Sequence, residues 1–145
     1  MSWLVDTCCI SELIKKAPDE NVIRWFSNTD ELSLYISVIT FGEIRKGIEK
    51  ITESKRKQHL NYWVQAELTK RFKNRILAIS LEVADSWGTI LASAEQNGTP
   101  VPAIDALIAA TAHVHGLTVV TRYTKDMQKS GIQYVNPWEP ETPGK

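Results

Sequence analysis

The sequence predicts an α/β fold, a mostly parallel sheet covered by helices on both faces, and three observations predict it. Short runs rich in β-forming residues alternate along the chain with longer segments of helical apolar spacing, the order in which βαβ units build a parallel sheet. The 145 residues, 43% of them hydrophobic, are enough for a real core at the usual size of one domain. No internal repeat or low-complexity linker divides them. We expect a single domain over residues 1–138 and an irregular tail over 139–145, in a stretch from Asn136 that holds three prolines.

The elements follow in order. Trp3-Leu4-Val5 is a short apolar strand that ends on Asp6, and Ser11 to Lys16 reads as a short helix. Pro18 suits the first turn of a second helix through Val22, Ile23, Trp25 and Phe26. Leu32 to Val38 alternates and is rich in β-formers, which makes it the second strand. Thr40 closes it and opens a helix with Phe41, Ile44, Ile48 and Ile51 at helical spacing. The breaker-free stretch from Ser54 to Phe72 then carries Leu60, Trp63, Val64 and Leu68 on one face, so the two helices form a hairpin arm. Arg75 to Ile79 is the third strand, and Ser80 caps a helix from Leu81 to about Gln96. After the Asn97-Gly98-Thr99-Pro100 break, Pro102 starts the most apolar helix, Ala103 to His115, with Gly116 at its C-terminal turn. Leu117 to Thr121 is a buried strand, Asp126 to Lys129 a helical turn, and Ile132 to Val135 the last strand.

Composition excludes several classes. No apolar run approaches the roughly 18 to 20 residues that span a bilayer, and no signal-type segment opens the chain, so a cytoplasmic protein is expected. Cys8 and Cys9 are adjacent, which suits neither a disulfide framework nor a zinc site. Phosphate-binding glycine loops and dinucleotide fingerprints are missing. His59, His113 and His115 lack metal-type spacing. The formal charge is zero, yet Arg45 to Arg75 carries ten basic residues against three acidic ones. That asymmetry fits either a polyanion-facing surface or a solvated helical face.

Four acids stand out by position. Asp6 follows the first strand, Glu43 lies in the first turn after the second, Asp105 in the first turn of the Pro102 helix, and Asp126 just beyond the last strong strand. In a parallel sheet, ligands bind beyond the carboxyl ends of the strands, where these four would converge. Converging carboxylates repel one another and attract cations, and hard oxygen donors favour Mg²⁺ or Mn²⁺. Each acid also has a plainer reading. Asp6 suits a helix cap. Thr40 and Glu43 have the spacing of a capping box, and Asp105 and Asp126 are favoured by helix dipoles.

Together these residues resemble a known family. Leu4 to Leu13, Ser37 to Ile48, Ile104 to Ala112 and Val120-Thr121-Arg122 are similar in sequence, order and spacing to PIN-domain ribonucleases, above all to the VapC and FitB toxins of bacterial toxin–antitoxin pairs. The likeness runs to Val135-Asn136-Pro137-Trp138. It implies a three-layer α/β/α sandwich around a five-stranded sheet and an Mg²⁺- or Mn²⁺-dependent endoribonuclease. It also implies a homodimer, with assembly up to a hetero-octamer, held inactive by a small VapB-like antitoxin. By that resemblance Asp6, Glu43, Asp105 and Asp126 are catalytic and Asp6 and Asp105 hold the metal; Thr7, Thr121 and Arg122 meet the RNA, and water attack leaves a 5′-phosphate and a 3′-hydroxyl. Tyr123 departs from the pattern, standing where the family usually has Asn or Asp. The alternative is therefore a PIN module that dimerises and binds its antitoxin without cleaving. A phosphohydrolase with Asp6 as nucleophile is a further rival, but it lacks a second Asp two positions on.

Overall fold

In the computed structural model, which describes residues 1–140, five short strands form one sheet in the order β3-β2-β1-β4-β5. They are β1 (Trp3–Val5), β2 (Leu34–Ser37), β3 (Ile76–Leu77), β4 (Thr118–Val120) and β5 (Tyr134–Val135). All four pairings are parallel, with Leu4 level with Tyr35 on one side and Val119 on the other. The expected fold class is the observed one. The chain winds outward from β1 to β2 and β3, then returns to add β4 and β5 on the other side. The order therefore reverses at β1, and a crevice opens beyond its carboxyl end.

Alternation along the strands divides the core into two layers. Val5, Leu34, Ile36 and Val120 face one side, where they meet Cys9 and Ile10 of α1 (Thr7–Leu13), Ile44 and Ile48 of α3 (Val38–Glu49) and the arm residues Val64, Leu68 and Phe72. Trp3, Trp25 and Phe26 extend this layer beneath α2 (Glu20–Ser27). Leu4 and Val119 point the other way, onto Ile108, Ala109 and Ala112 of α7 (Ala103–His115) and Met127 of α8 (Thr124–Lys129). Small residues on α7 let it lie close to the sheet, and α6 (Leu81–Gln96) packs outside it through Ala94 and Trp87.

Several boundaries differ from the sequence expectation, for local reasons. The first helix begins at Thr7, four residues early, because the Asp6 carboxylate accepts the Thr7 N–H at 2.8 Å and caps it. Pro18 lies outside the second helix: Asp19 is its cap, accepting from Asn21 and Val22. The second strand is shorter than Leu32 to Val38. Asp30 caps a 3₁₀ turn over Glu31–Ser33, which leaves Leu32 exposed, and Ser37 caps α3, which draws Val38 into the helix. The Thr40–Glu43 capping box is consequently absent. Thr40 is wholly buried inside α3, and Glu43 stands one turn deeper than expected.

The arm pairs α3 with one continuous helical run made of α4 (Ser54–Tyr62), a π-helical segment (Trp63–Leu68) and α5 (Thr69–Arg71). Helices α6 and α7 have the predicted bounds, and Gly116 ends α7 in the left-handed region with φ of 66°. The last described residues, Glu139 and Pro140, are in neither helix nor strand; the rest of the expected tail lies outside the described residues.

Candidate active site

The crevice beyond β1 is built by hydrogen bonds between chain segments far apart in sequence. Asp6 continues β1, its N–H donating to Val120 O at 3.0 Å, so its side chain is aimed by the sheet itself. It is 4% exposed. A carboxylate that deep needs donors, and it has two: the Thr7 N–H to Oδ1 and the Thr121 hydroxyl to Oδ2 at 2.7 Å. Thr121 closes β4 and is itself wholly buried, its hydroxyl facing Asp6. Cys8 adds a weak sulfur contact, with Sγ 3.8 Å from Oδ2.

Glu43 reaches the crevice from α3. The Thr7 hydroxyl donates to its Oε1 at 2.6 Å, and the same hydroxyl lies 3.2 Å from Thr40 Oγ1. Thr7 thus joins the Asp6 side of the site to α3 through its backbone and its hydroxyl at once. Asp105 enters from the first turn of α7, and Asp126 lies in the first turn of α8, near enough for its charge to act on Asp105.

These elements enclose a cavity of about 340 Å³ lined by Asp6, Thr7, Glu43, Asp105, Arg122 and Tyr123, with Cys8, Ser11, Glu12, Lys15 and Trp138 completing the wall. Three of the four expected acids line it, as do the expected Thr7 and Arg122 and the Tyr123 singled out in the sequence. Asp126 and Thr121 do not; Thr121 is buried against Asp6. Sequence reasoning gave no role to Glu12, Lys15 or Trp138. Glu12 is buried, accepts from Lys15 Nζ at 2.9 Å and from the Asp19 N–H at 3.0 Å, and is held below the usual carboxylate range by them. The Arg122 guanidinium sits 5.1 Å from the centre of the Trp138 ring. Trp138 is held in turn by Asn21, whose amide donates to its carbonyl, and by Asn136. The family likeness runs as far as Pro137-Trp138, but only the fold shows what Trp138 supports.

Two of the acids, Asp6 and Asp105, have raised pKa values. Burial pushes Asp6 up, and the Glu43 charge adds to this against the pull of Thr121 and Thr7. Asp105 is pushed up to about 6, first by burial and then by the charges of Asp126, Asp6 and Glu43. A site in which Asp6 and Asp105 are both made harder to ionise has a deficit of positive charge.

The PIN-domain family model matches residues 3–129, which include every residue lining this cavity except Trp138. The chain belongs to the PIN-domain family. Among relatives of this PIN domain is the VapC ribonuclease Y4jK of Sinorhizobium fredii, 34% identical over 94% of this chain and 98% of its own. Toxin FitB of Neisseria gonorrhoeae is likewise 34% identical, over 93% and 97%. The fold of FitAB bound to an IR36 DNA fragment superposes with a TM-score of 0.92 at 33% identity, covering 97% of this chain and 99% of that one.

The donor set of this PIN domain suits a hard divalent cation. Its cavity acids offer only carboxylate oxygens, and their mutual repulsion is what such an ion relieves. Among the described residues no three His, Cys, Asp or Glu side chains group tightly enough to hold a metal ion. The fit is to Mg²⁺ or Mn²⁺ held by one or two carboxylates, with water and a phosphate completing its shell.

Proposed function

We propose that this PIN domain is a divalent-metal-dependent endoribonuclease, the toxin of a toxin–antitoxin pair. The observation that carries this reading is the convergence of Asp6, Glu43 and Asp105 on one cavity, with Asp105 raised to about 6 by burial and then by its acidic neighbours. The family and the relatives named ribonuclease and toxin support it.

In this reading Asp6 and Asp105 hold Mg²⁺ or Mn²⁺, which when bound supplies Lewis acidity and counter-charge for the phosphodiester oxygens. The other side chains position and protonate. Glu43, fixed by the Thr7 hydroxyl, accepts a proton from the attacking water. Thr121 keeps Asp6 in one rotamer through its 2.7 Å bond, and Asp126 completes the outer shell of the site. Arg122, braced on Trp138, meets the RNA phosphate. In-line attack forms the new bond from water oxygen to phosphorus and breaks the bond to the 3′-oxygen, which takes up a proton in place of the one Glu43 accepted, leaving a 5′-phosphate and a 3′-hydroxyl.

The partners follow from the same kinship: a second copy of the chain, with assembly up to a hetero-octamer, and a small VapB-like antitoxin, as the FitAB neighbour suggests. No helix among the described residues is long and apolar enough to cross a membrane, and we place the protein in the cytoplasm. Residues 1–138 act as one domain.

The test is cleavage of an RNA panel that appears with Mg²⁺ or Mn²⁺ and disappears with chelator. Asp6→Asn should lower the rate by about a hundredfold or more while circular dichroism stays unchanged. An equally active Asp6→Asn would overturn the metal role. A second reading, a PIN module that binds its antitoxin without cleaving, is favoured by Tyr123 in the cavity wall. The same metal titration separates the two.

A further inference from the structure

Tyr123 has no part in the chemistry above, yet its placement is specific. Its side chain is 55% exposed and also lines the cavity that holds Asp6, Glu43 and Asp105. Its backbone is fixed: the Tyr123 N–H donates to Thr121 Oγ1 at 3.0 Å, and that hydroxyl donates to Asp6 Oδ2 at 2.7 Å. Two consecutive hydrogen bonds therefore tie the base of an exposed aromatic side chain to the innermost acid. Next in the same wall is Arg122, a cation held 5.1 Å from the Trp138 ring centre.

An exposed ring in the same wall as a guanidinium is what single-stranded nucleic acid uses. The cation takes the backbone, and the ring takes the face of one unpaired base. Building on the reading of this site as RNA-cleaving, we propose that Tyr123 is its specificity residue, stacking on one unpaired nucleobase beside the phosphate that meets the acids. Two features favour an RNA base as the occupant. The ring is in the wall of the acidic cavity itself, and the adjoining charge is positive. Stacking reads a base's face rather than its edge, so the site should demand an unpaired nucleotide at one position and tolerate several bases there.

The experiment uses the full chain and a short fluorescein-labelled single-stranded RNA of mixed sequence, scanned with single abasic nucleotides. In wild type, one abasic position should weaken binding and raise KM about tenfold. Tyr123→Ala should bring the same loss on intact RNA, no further loss at that abasic position, and little change in kcat; Tyr123→Phe should behave as wild type. Duplex RNA should not distinguish the three proteins. Equal KM for Tyr123→Ala and Tyr123→Phe in chains that still cleave overturns the stacking role alone. So does additivity of the Tyr123→Ala and abasic losses at every position, or a Tyr123→Ala defect seen only in binding a protein partner. A wild-type chain that neither binds nor cuts any RNA overturns both this role and the activity beneath it.

Discussion

At the scale of single residues, Asp105 shows what the site costs the fold. Its carboxyl is raised from 3.8 to about 6 in the folded chain, which therefore holds this proton more tightly than the unfolded chain does. As pH rises from about 4 through 6, folding becomes progressively less favourable on account of this group; below that window both states are protonated and the penalty vanishes. Asp105→Asn should thus raise the Tm by a few degrees near pH 7 without metal, and the gain should shrink toward pH 4. Scanning calorimetry at the two pH values checks this, and Mg²⁺ should raise the Tm of wild type more than that of the variant. Cleavage should fall as pH drops through about 6, where Asp105 loses its charge. The acids were legible in the sequence because each follows a strand or opens a helix in a parallel α/β pattern. Their supports were not. The Thr7–Glu43 and Thr121–Asp6 bonds join residues 36 and 115 positions apart, and no local pattern encodes such a meeting. Asp6 also shows that the plain and functional readings are compatible, since one carboxylate oxygen caps α1 while the other faces Thr121.

At the scale of elements, caps outweighed β-propensity. Leu32 to Val38 alternates like a strand, but Asp30 and Ser37 satisfy backbone donors at both ends and trim it to Leu34–Ser37. The interior helices were readable because their stop signals were strong: Ser80 before α6 and Gly116 after α7 need no tertiary help. Ser37 matters most for the site, because α3 carries Thr40 and Glu43. Ser37→Ala removes the 3.1 Å bond to the Ile39 N–H and should cost about 1 kcal/mol, read as a lower denaturation midpoint at unchanged m. Since the frayed turn is the one just before Thr40, cleavage should drop severalfold while the fold persists. The π-helical segment of the arm left no mark in the sequence, for its residues have ordinary helical spacing.

At the scale of the whole molecule, the basic arm divides into structural and free charge. Arg75 donates to the carbonyls of Leu34, Glu31 and Arg71, Arg71 pairs with Glu31, and Arg45 and Lys57 both pair with Glu49. Much of the apparent polyanion signal is therefore fold architecture. Replacing Lys50 and Lys55 together by Gln should leave the Tm almost unchanged and flatten the salt dependence of single-strand RNA binding by about 0.7 per lost phosphate contact; anisotropy titrations across salt concentrations measure the slope. The strand order has a consequence of another kind. β1 is the first strand made and the middle strand of the sheet, and Asp6 waits for a hydroxyl 115 residues later. At roughly 5 to 20 residues per second of synthesis, the gap is on the order of ten seconds. A ribosome that has passed β1, β2 and β3 still carries an unfinished site, so the site's birth waits on the synthesis of β4 and Thr121.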